Sequence, residues 1–141
     1  MEHKEYLDAI LRAADPTVAA AVRQSYYDDL IDILQRCEQD CFSIDVGWFP
    51  LIAQVHRKLK YLDPDYKIYQ IKEKFAGLRY YYSLSNDNHP DALTIASIMN
   101  DIISVAERRS FAICEKCSKH GYRVKKNYWH KTYCKEHANL V

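Results

Sequence analysis

The sequence predicts an α+β fold: a mainly helical body of about four helices carries one β-hairpin and ends in a small cysteine-rich module. Three observations predict it. Apolar residues recur at three- and four-residue spacing over most of residues 1–113. That period changes to two between about residues 66 and 84, around an Ala76-Gly77 turn. Two close pairs of metal-ligating residues, Cys114/Cys117 and Cys134/His137, then bracket a short segment of alternating character.

The elements follow in order. Tyr6, Leu7, Ile10, Leu11 and Ala14 form one apolar stripe, which gives a first short helix. Asp15-Pro16 reads as an N-cap followed by proline at the first helical position. Val18, Val22, Tyr26, Leu30, Ile33, Cys37 and Cys41 then continue the stripe, so a long helix is expected from about 16 to 40. On it Cys37 and Cys41 would be two buried thiols one turn apart; a metal half-site with His3 or His56 is the weaker alternative. Gly47-Trp48-Phe49-Pro50 marks a turn, and Leu51, Ile52, Val55, Leu59 and Leu62 define a third helix that stops at Asp63-Pro64-Asp65. The hairpin comes next. After the polar stretch 85–90, a helix of about 20 residues is expected to bury Leu93, Ala96, Met99, Ile103 and Ala106. Ile95, Ile98 and Ile102 widen its apolar arc, which suggests a helix covered on several sides.

Cys114-x-x-Cys117 and Cys134-x-x-His137 are separated by sixteen residues. Each tight pair supplies two ligands at the angle a tetrahedral ion requires, and thiolate with imidazole is the donor set of structural Zn2+. His120 and His130 are alternatives to His137 as the fourth ligand. Tyr122–Val124 and Tyr128–Tyr133 read as two short strands around Lys125-Lys126-Asn127, which completes a treble-clef or zinc-ribbon pattern over 114–141. No flexible linker precedes Cys114, so the module is expected to dock on the body formed by residues 1–113.

Composition bounds the function. The 141 residues are 48% hydrophobic and 28% charged, with 3 Gly and 4 Pro, as in an ordinary globular chain with little room for glycine-rich phosphate loops. The N-terminus has no signal-peptide pattern, and no apolar run reaches the ~18 residues of a membrane span. Five cysteines, three of them at metal spacing, suit a reducing compartment, so a cytoplasmic protein is expected. The net charge of +1 hides a gradient. Residues 1–50 carry four Lys/Arg against ten Asp/Glu, whereas residues 114–141 carry seven against two.

No catalytic motif emerges, so a non-enzymatic binding protein is expected. The acidic helix offers Asp28 and Asp32 to a basic partner, and Tyr80 and Tyr82 share one face of the hairpin as a candidate adhesive surface. In the tail, Arg123, Lys125, Lys126 and Lys131 interleave with Tyr122, Tyr128, Trp129 and Tyr133, a pattern that suits nucleic acid.

The segments Gly47-Trp48-Phe49-Pro50-Leu51-Ile52 and Gln70-Ile71-Lys72-Glu73-Lys74-Phe75-Ala76-Gly77-Leu78-Arg79-Tyr80, with the terminal Cys-x-x-Cys and Cys-x-x-His pairs, support a resemblance. The chain resembles small bacterial and phage proteins that carry a GWxPLI segment, an IKEKFGGLRFY hairpin and a terminal zinc ribbon. It departs from their pattern at Ala76, where the hairpin turn has glycine, and at Ser118, where the knuckle has glycine. The resemblance implies the architecture and the metal, in a family without an established enzymatic activity. Small bacterial proteins of this kind often neutralise toxins, so the leading expectation is an immunity protein that occludes the active site of an antibacterial toxin domain. The alternative expectation is a nucleic-acid-binding regulator acting through the basic module.

Overall fold

The computed structural model describes residues 2–38 and 40–140. The fold is α+β. Helix α1 (Glu2–Ala13) is followed by α2 (Pro16–Ala21), a π-helical turn (Val22–Tyr26) and α3 (Tyr27–Arg36). Asp15 caps α2 as its position before proline suggests, its carboxylate accepting from the backbone N–H groups of Thr17 and Val18. A two-residue strand, β1 (Phe42–Ser43), leads through a 3-10 turn (Val46–Trp48) into α4 (Phe49–Leu62). Strands β2 (Lys67–Lys74) and β3 (Gly77–Ser83) form the hairpin, and α5 (Ala92–Ser110) runs into the cysteine module with β4 (Tyr122–Lys126) and β5 (Trp129–Tyr133).

The expected helix from 16 to 40 is bent at the π turn and ends at Arg36. The last helical residue, Arg36, is tied to the next strand's approach, its guanidinium donating to the carbonyls of Tyr66 and Pro64 at 2.9 and 2.7 Å. Cys37 is extended, and Asp40 takes a positive φ of 64°, which turns the chain back. Cys37 and Cys41 are therefore joined as a disulfide across a Cα separation of 5.3 Å, rather than lying as two thiols on a helix. The turn also delivers β1 beside β2, in parallel, making a three-stranded sheet in the order β1-β2-β3. A strand that short leaves no periodicity to read.

In the hairpin the two turn residues are Phe75 and Ala76, at φ 52° and 72°, not Ala76-Gly77. Both are in the left-handed region, which costs a residue with a Cβ about 1 kcal/mol. Gly77 opens β3 instead, and a Cβ there would lie 2.5 Å from the Phe111 ring. One face of the sheet is buried against the helices through Ile68, Ile71, Leu78 and Tyr80. Strict alternation would put Ile68 and Ile71 on opposite faces; a bulge between Ile68 and Gln70 places both inward. Helix α5 buries Met99, Ile103 and Ala106 as expected, but Leu93 is 89% exposed and Ile98 and Val105 face solvent. Its wide apolar arc is covered on one side only, by α4 and β3.

A buried polar chain links α3, α4 and the hairpin. His56 is 2.7 Å from the Asp32 carboxylate through Nε2 and 2.5 Å from the Tyr66 hydroxyl through Nδ1. The Tyr66 hydroxyl lies 2.6 Å from that of Tyr80.

The cysteine module docks directly on the body. The Gly47 N–H donates to the Glu115 carbonyl at 2.7 Å, Ser118 Oγ donates to the Gly47 carbonyl at 2.6 Å, and Trp48 Nε1 donates to the Ile113 carbonyl at 2.8 Å. A Cβ on Gly47 would lie 2.2 Å from the Cys114 carbonyl oxygen and 2.4 Å from the Glu115 carbonyl carbon. Both obstacles are backbone and cannot rotate away. Gly47→Ala is therefore expected to separate the two surfaces and to lower stability by about 2–3 kcal/mol, through lost hydrogen bonds and strain. Thermal unfolding of the variant, followed by the fluorescence of buried Trp48, measures it.

Candidate metal centre and the surfaces around it

Cys114 and Cys117 lie in a tight turn whose geometry is set by backbone bonds. The Cys114 N–H donates to the Lys119 carbonyl, and the Ser118 N–H to the Cys114 carbonyl. Ser118 adopts φ 67°, the conformation for which glycine is the usual residue. The hairpin β4–β5 carries the chain away and returns it to Cys134, where the His137 N–H closes a second turn on the Cys134 carbonyl.

The two turns bring three sulfurs and one imidazole nitrogen within 4.8 Å of one another. Cys117 Sγ is 3.6 Å from Cys134 Sγ, and His137 Nδ1 is 3.2 Å from Cys134 Sγ and 3.7 Å from Cys114 Sγ. Ligands about 2.0–2.3 Å from a central ion would be separated by such distances in a tetrahedron. His137 is thus the fourth member of the cluster. His120 packs edge-on against Tyr122 and His130 against Phe75, so neither alternative joins it. All three thiols are buried. Burial pushes Cys117 up to about 12. Burial also raises Cys134, but hydrogen bonds from His137, Cys117 and Cys114 outweigh it and bring that thiol down to about 7. The cluster has four ligands and no carboxylate or hydroxyl group among them, which is the make-up of a closed, structural centre.

Lys131 belongs to the docking seam. Its ammonium is 2.7 Å from Glu73 and 3.8 Å from the buried carboxylate of Glu115. Glu115 in turn accepts from the Thr132 N–H at 2.7 Å, while the Thr132 hydroxyl donates to the Ala76 carbonyl. Burial raises the Glu115 carboxyl to about 7, against the opposing pull of Thr132 and Lys131. Of the four cations proposed for nucleic acid, Lys131 is therefore committed to the fold. Arg123, Lys125 and Lys126 have no carboxylate partner among the described residues, and Arg123 Nε is 3.2 Å from His130 Nδ1.

The other candidate surface is largely internal. Tyr80 is 3% exposed. The Tyr82 hydroxyl bonds to the Ala96 carbonyl and to Asn100 on α5. Asp32 is held by Arg36, His56 and Lys60 within 3.3 Å, so its charge is compensated. Only Asp28 among these four is exposed and without an ion pair among the described residues. Alternation in the hairpin correctly separates Tyr81 from Tyr80 and Tyr82, but it is Tyr81 that faces solvent, beside Tyr69 of the neighbouring strand. Two inward isoleucines three residues apart were the available signal of a bulge that turns Tyr69 outward. In the module, Tyr133 is core, whereas Tyr128 at the hairpin tip is 94% exposed and Trp129 is 70% exposed.

Among the described residues no helix is long and apolar enough to cross a membrane. No protein-family model matches the chain, and neither a curated protein nor a solved structure proved similar to it.

Proposed function

We propose that the chain is a non-enzymatic binding protein in which a structural Zn2+, held by Cys114, Cys117, Cys134 and His137, presents the β4–β5 hairpin to single-stranded nucleic acid. Three cysteines and a histidine clustered in this way suit zinc above other first-row ions, because thiolate and imidazole are its usual structural donors. The observation that supports nucleic acid is the hairpin tip. A small domain gains stability by burying its rings, yet Tyr128 and Trp129 project from the tip. Beside them Lys125, Lys126 and Arg123 are free of carboxylates among the described residues. Rings stack on bases of any sequence, and cations release counter-ions from the phosphates.

The immunity reading retains Asp28 as an exposed anion, but Tyr80, Tyr82 and Asp32 have partners within the protein. Occlusion of a toxin would need a surface other than the one those four residues define. A nuclease-treated pull-down that returned one stoichiometric toxin-like protein would restore it as the leading reading.

The test is an affinity series for a labelled oligonucleotide against salt concentration. Binding should weaken steeply as salt rises. Replacing both Lys125 and Lys126 with alanine should reduce the log–log slope by about 1.4, two phosphate contacts at ~0.7 each. A slope unchanged by the double substitution would remove these lysines from the interface, and absence of binding at low salt would sink the reading.

A further inference from the structure

We propose that the outer face of the β1-β2-β3 sheet is a second platform for single-stranded nucleic acid, continuous with the metal hairpin. The inference rests on the nucleic-acid reading of that hairpin and extends it to a surface on the other side of the docking seam.

The rings come first. The bulge in β2 leaves Tyr69 and Gln70 together opposite Tyr81, between the inward-facing Ile68 and Ile71. Tyr69 is 64% exposed and Tyr81 is 44% exposed, on adjacent strands at one register position. Without the bulge, Ile71 would face solvent or Tyr69 would turn inward. The irregularity therefore both completes the core and presents a ring.

The charges come next. Lys72 lies directly opposite Arg79, Lys67 opposite Ser83, and Lys74 opposite Gly77. Like charges facing each other across a strand pair destabilise a sheet. Nothing on the face relieves them, because among the described residues no carboxylate pairs with Lys67, Lys72, Lys74 or Arg79. The one acid in this stretch of β2, Glu73, is opposite Leu78 and is used by Lys131 and by the Ala76 N–H. Unrelieved cations flanking exposed rings are a poor arrangement for stability and a good one for a polyanion with stackable bases. An acidic peptide would satisfy the cations but leaves the paired tyrosines without a purpose, and a duplex keeps its bases stacked away from them.

Contacts join this face to the hairpin. The Lys74 ammonium lies over the Phe75 ring, 5.8 Å from its centroid. Phe75, itself exposed, meets His130 edge-on at 6.2 Å between centroids. His130 is opposite Lys125 in the β4–β5 register and bonded to Arg123. A polymer stacked on Tyr69 and Tyr81 can thus pass Lys72 and Arg79, cross the turn at Phe75 and reach Arg123 and Lys125.

The experiment uses the full-length, metal-loaded protein and labelled 12-nucleotide oligo(dT) and oligo(U), a length within the ~4–16 nucleotides that small single-strand-binding domains occupy. Tyr69→Ala with Tyr81→Ala should weaken binding about 10-fold or more. Lys72→Gln with Arg79→Gln should flatten the salt slope by about 1.4 while leaving the melting temperature unchanged or raised, because the repulsion is removed. That second outcome separates a binding role from a structural one. If both sheet variants bind like wild type while Tyr128→Ala with Trp129→Ala abolishes binding, the platform is wrong and the hairpin reading stands. If the sheet variants lose binding and the hairpin variant does not, the platform stands and the hairpin reading fails. Should wild type bind neither oligonucleotide, both fall. Preference for oligo(U) or for oligo(dT), with the same sensitivity to the sheet variants, supports the platform and identifies the polymer.

Discussion

Stripping the metal, or replacing Cys134 with serine, should unfold residues 114–140 and loosen the body beneath them. The module's interior is made of Tyr133, Thr132, Glu115 and the three ligating cysteines, too little apolar surface to hold 27 residues together. Metal binding to such a site supplies on the order of 10 kcal/mol, which is folding free energy. The body loses with it the Ser118 hydroxyl that donates to the Gly47 carbonyl, the Glu115 carbonyl that accepts from Gly47, and the Thr132 hydroxyl that donates to Ala76. At about 1 kcal/mol per hydrogen bond its stability should fall by roughly 3 kcal/mol. One equivalent of zinc in the purified protein, and loss of amide-exchange protection over 114–140 on chelation, are the expected measurements. Retained protection without metal would contradict the structural role.

His56→Ala should be the most damaging single substitution in the body, at about 4 kcal/mol. His56 is buried and serves two partners. Neutral imidazole satisfies the chain fully: Nε2–H donates to Asp32, Nδ1 accepts from the Tyr66 hydroxyl, and the Tyr66 oxygen accepts from Tyr80. A protonated ring would reverse the last two bonds and leave the buried Tyr80 proton without an acceptor. Burial accordingly lowers the His56 pKa despite the adjacent Asp32 carboxylate. Truncation to alanine adds a cavity to the unsatisfied Tyr66 hydroxyl, two costs of about 2 kcal/mol each. Tyr80→Phe removes one bond and should cost about 1 kcal/mol.

The sign of the pH effect follows from the depressed pKa. The unfolded chain takes up the histidine proton first, near pH 6.5, so the contribution of His56 is complete above that value and declines as pH falls through it. Asp32 acts in the same direction at lower pH. Burial raises its carboxyl, but hydrogen bonds from His56 and Lys60 and the charge of Arg36 outweigh that, so its contribution is lost only below about pH 3.8. The stability gap between wild type and His56→Leu should therefore narrow between pH 7 and pH 5. A gap independent of pH would mean that His56 titrates alike in the folded and unfolded chain, and a gap that widened toward pH 5 would mean that the folded ring is already protonated.

How much of this is legible in the sequence varies with the range of the interaction. The clustering of Cys114, Cys117, Cys134 and His137 is, because a tetrahedral site calls for close pairs at fixed spacing. The hairpin and the third helix are, because their periods are local. The end of α3 at Arg36 is not: the apolar stripe runs on through Cys37 and Cys41, whereas the backbone leaves the helix at Cys37 and reverses at Asp40. The hairpin turn is misplaced by one residue because glycine is the expected occupant of positive φ, whereas Phe75 and Ala76 take it and Gly77 makes room for Phe111. The face of the tyrosine strand is reversed for a related reason. Alternation separates Tyr81 from Tyr80 and Tyr82, but only the partners contributed by α5 and Tyr66 decide which side is covered. The Asp32–His56–Tyr66–Tyr80 chain joins elements distant in sequence and leaves no local pattern.

The most direct test of a zinc-organised nucleic-acid-binding protein is the affinity of a labelled single-stranded oligonucleotide for the metal-loaded and the chelated protein across a salt series. Tight, salt-sensitive binding that weakens at least about 10-fold on chelation is the predicted result, because the rings at Tyr128 and Trp129 are then no longer held for stacking. Equal binding in both states, or none at low salt with zinc bound, would contradict it.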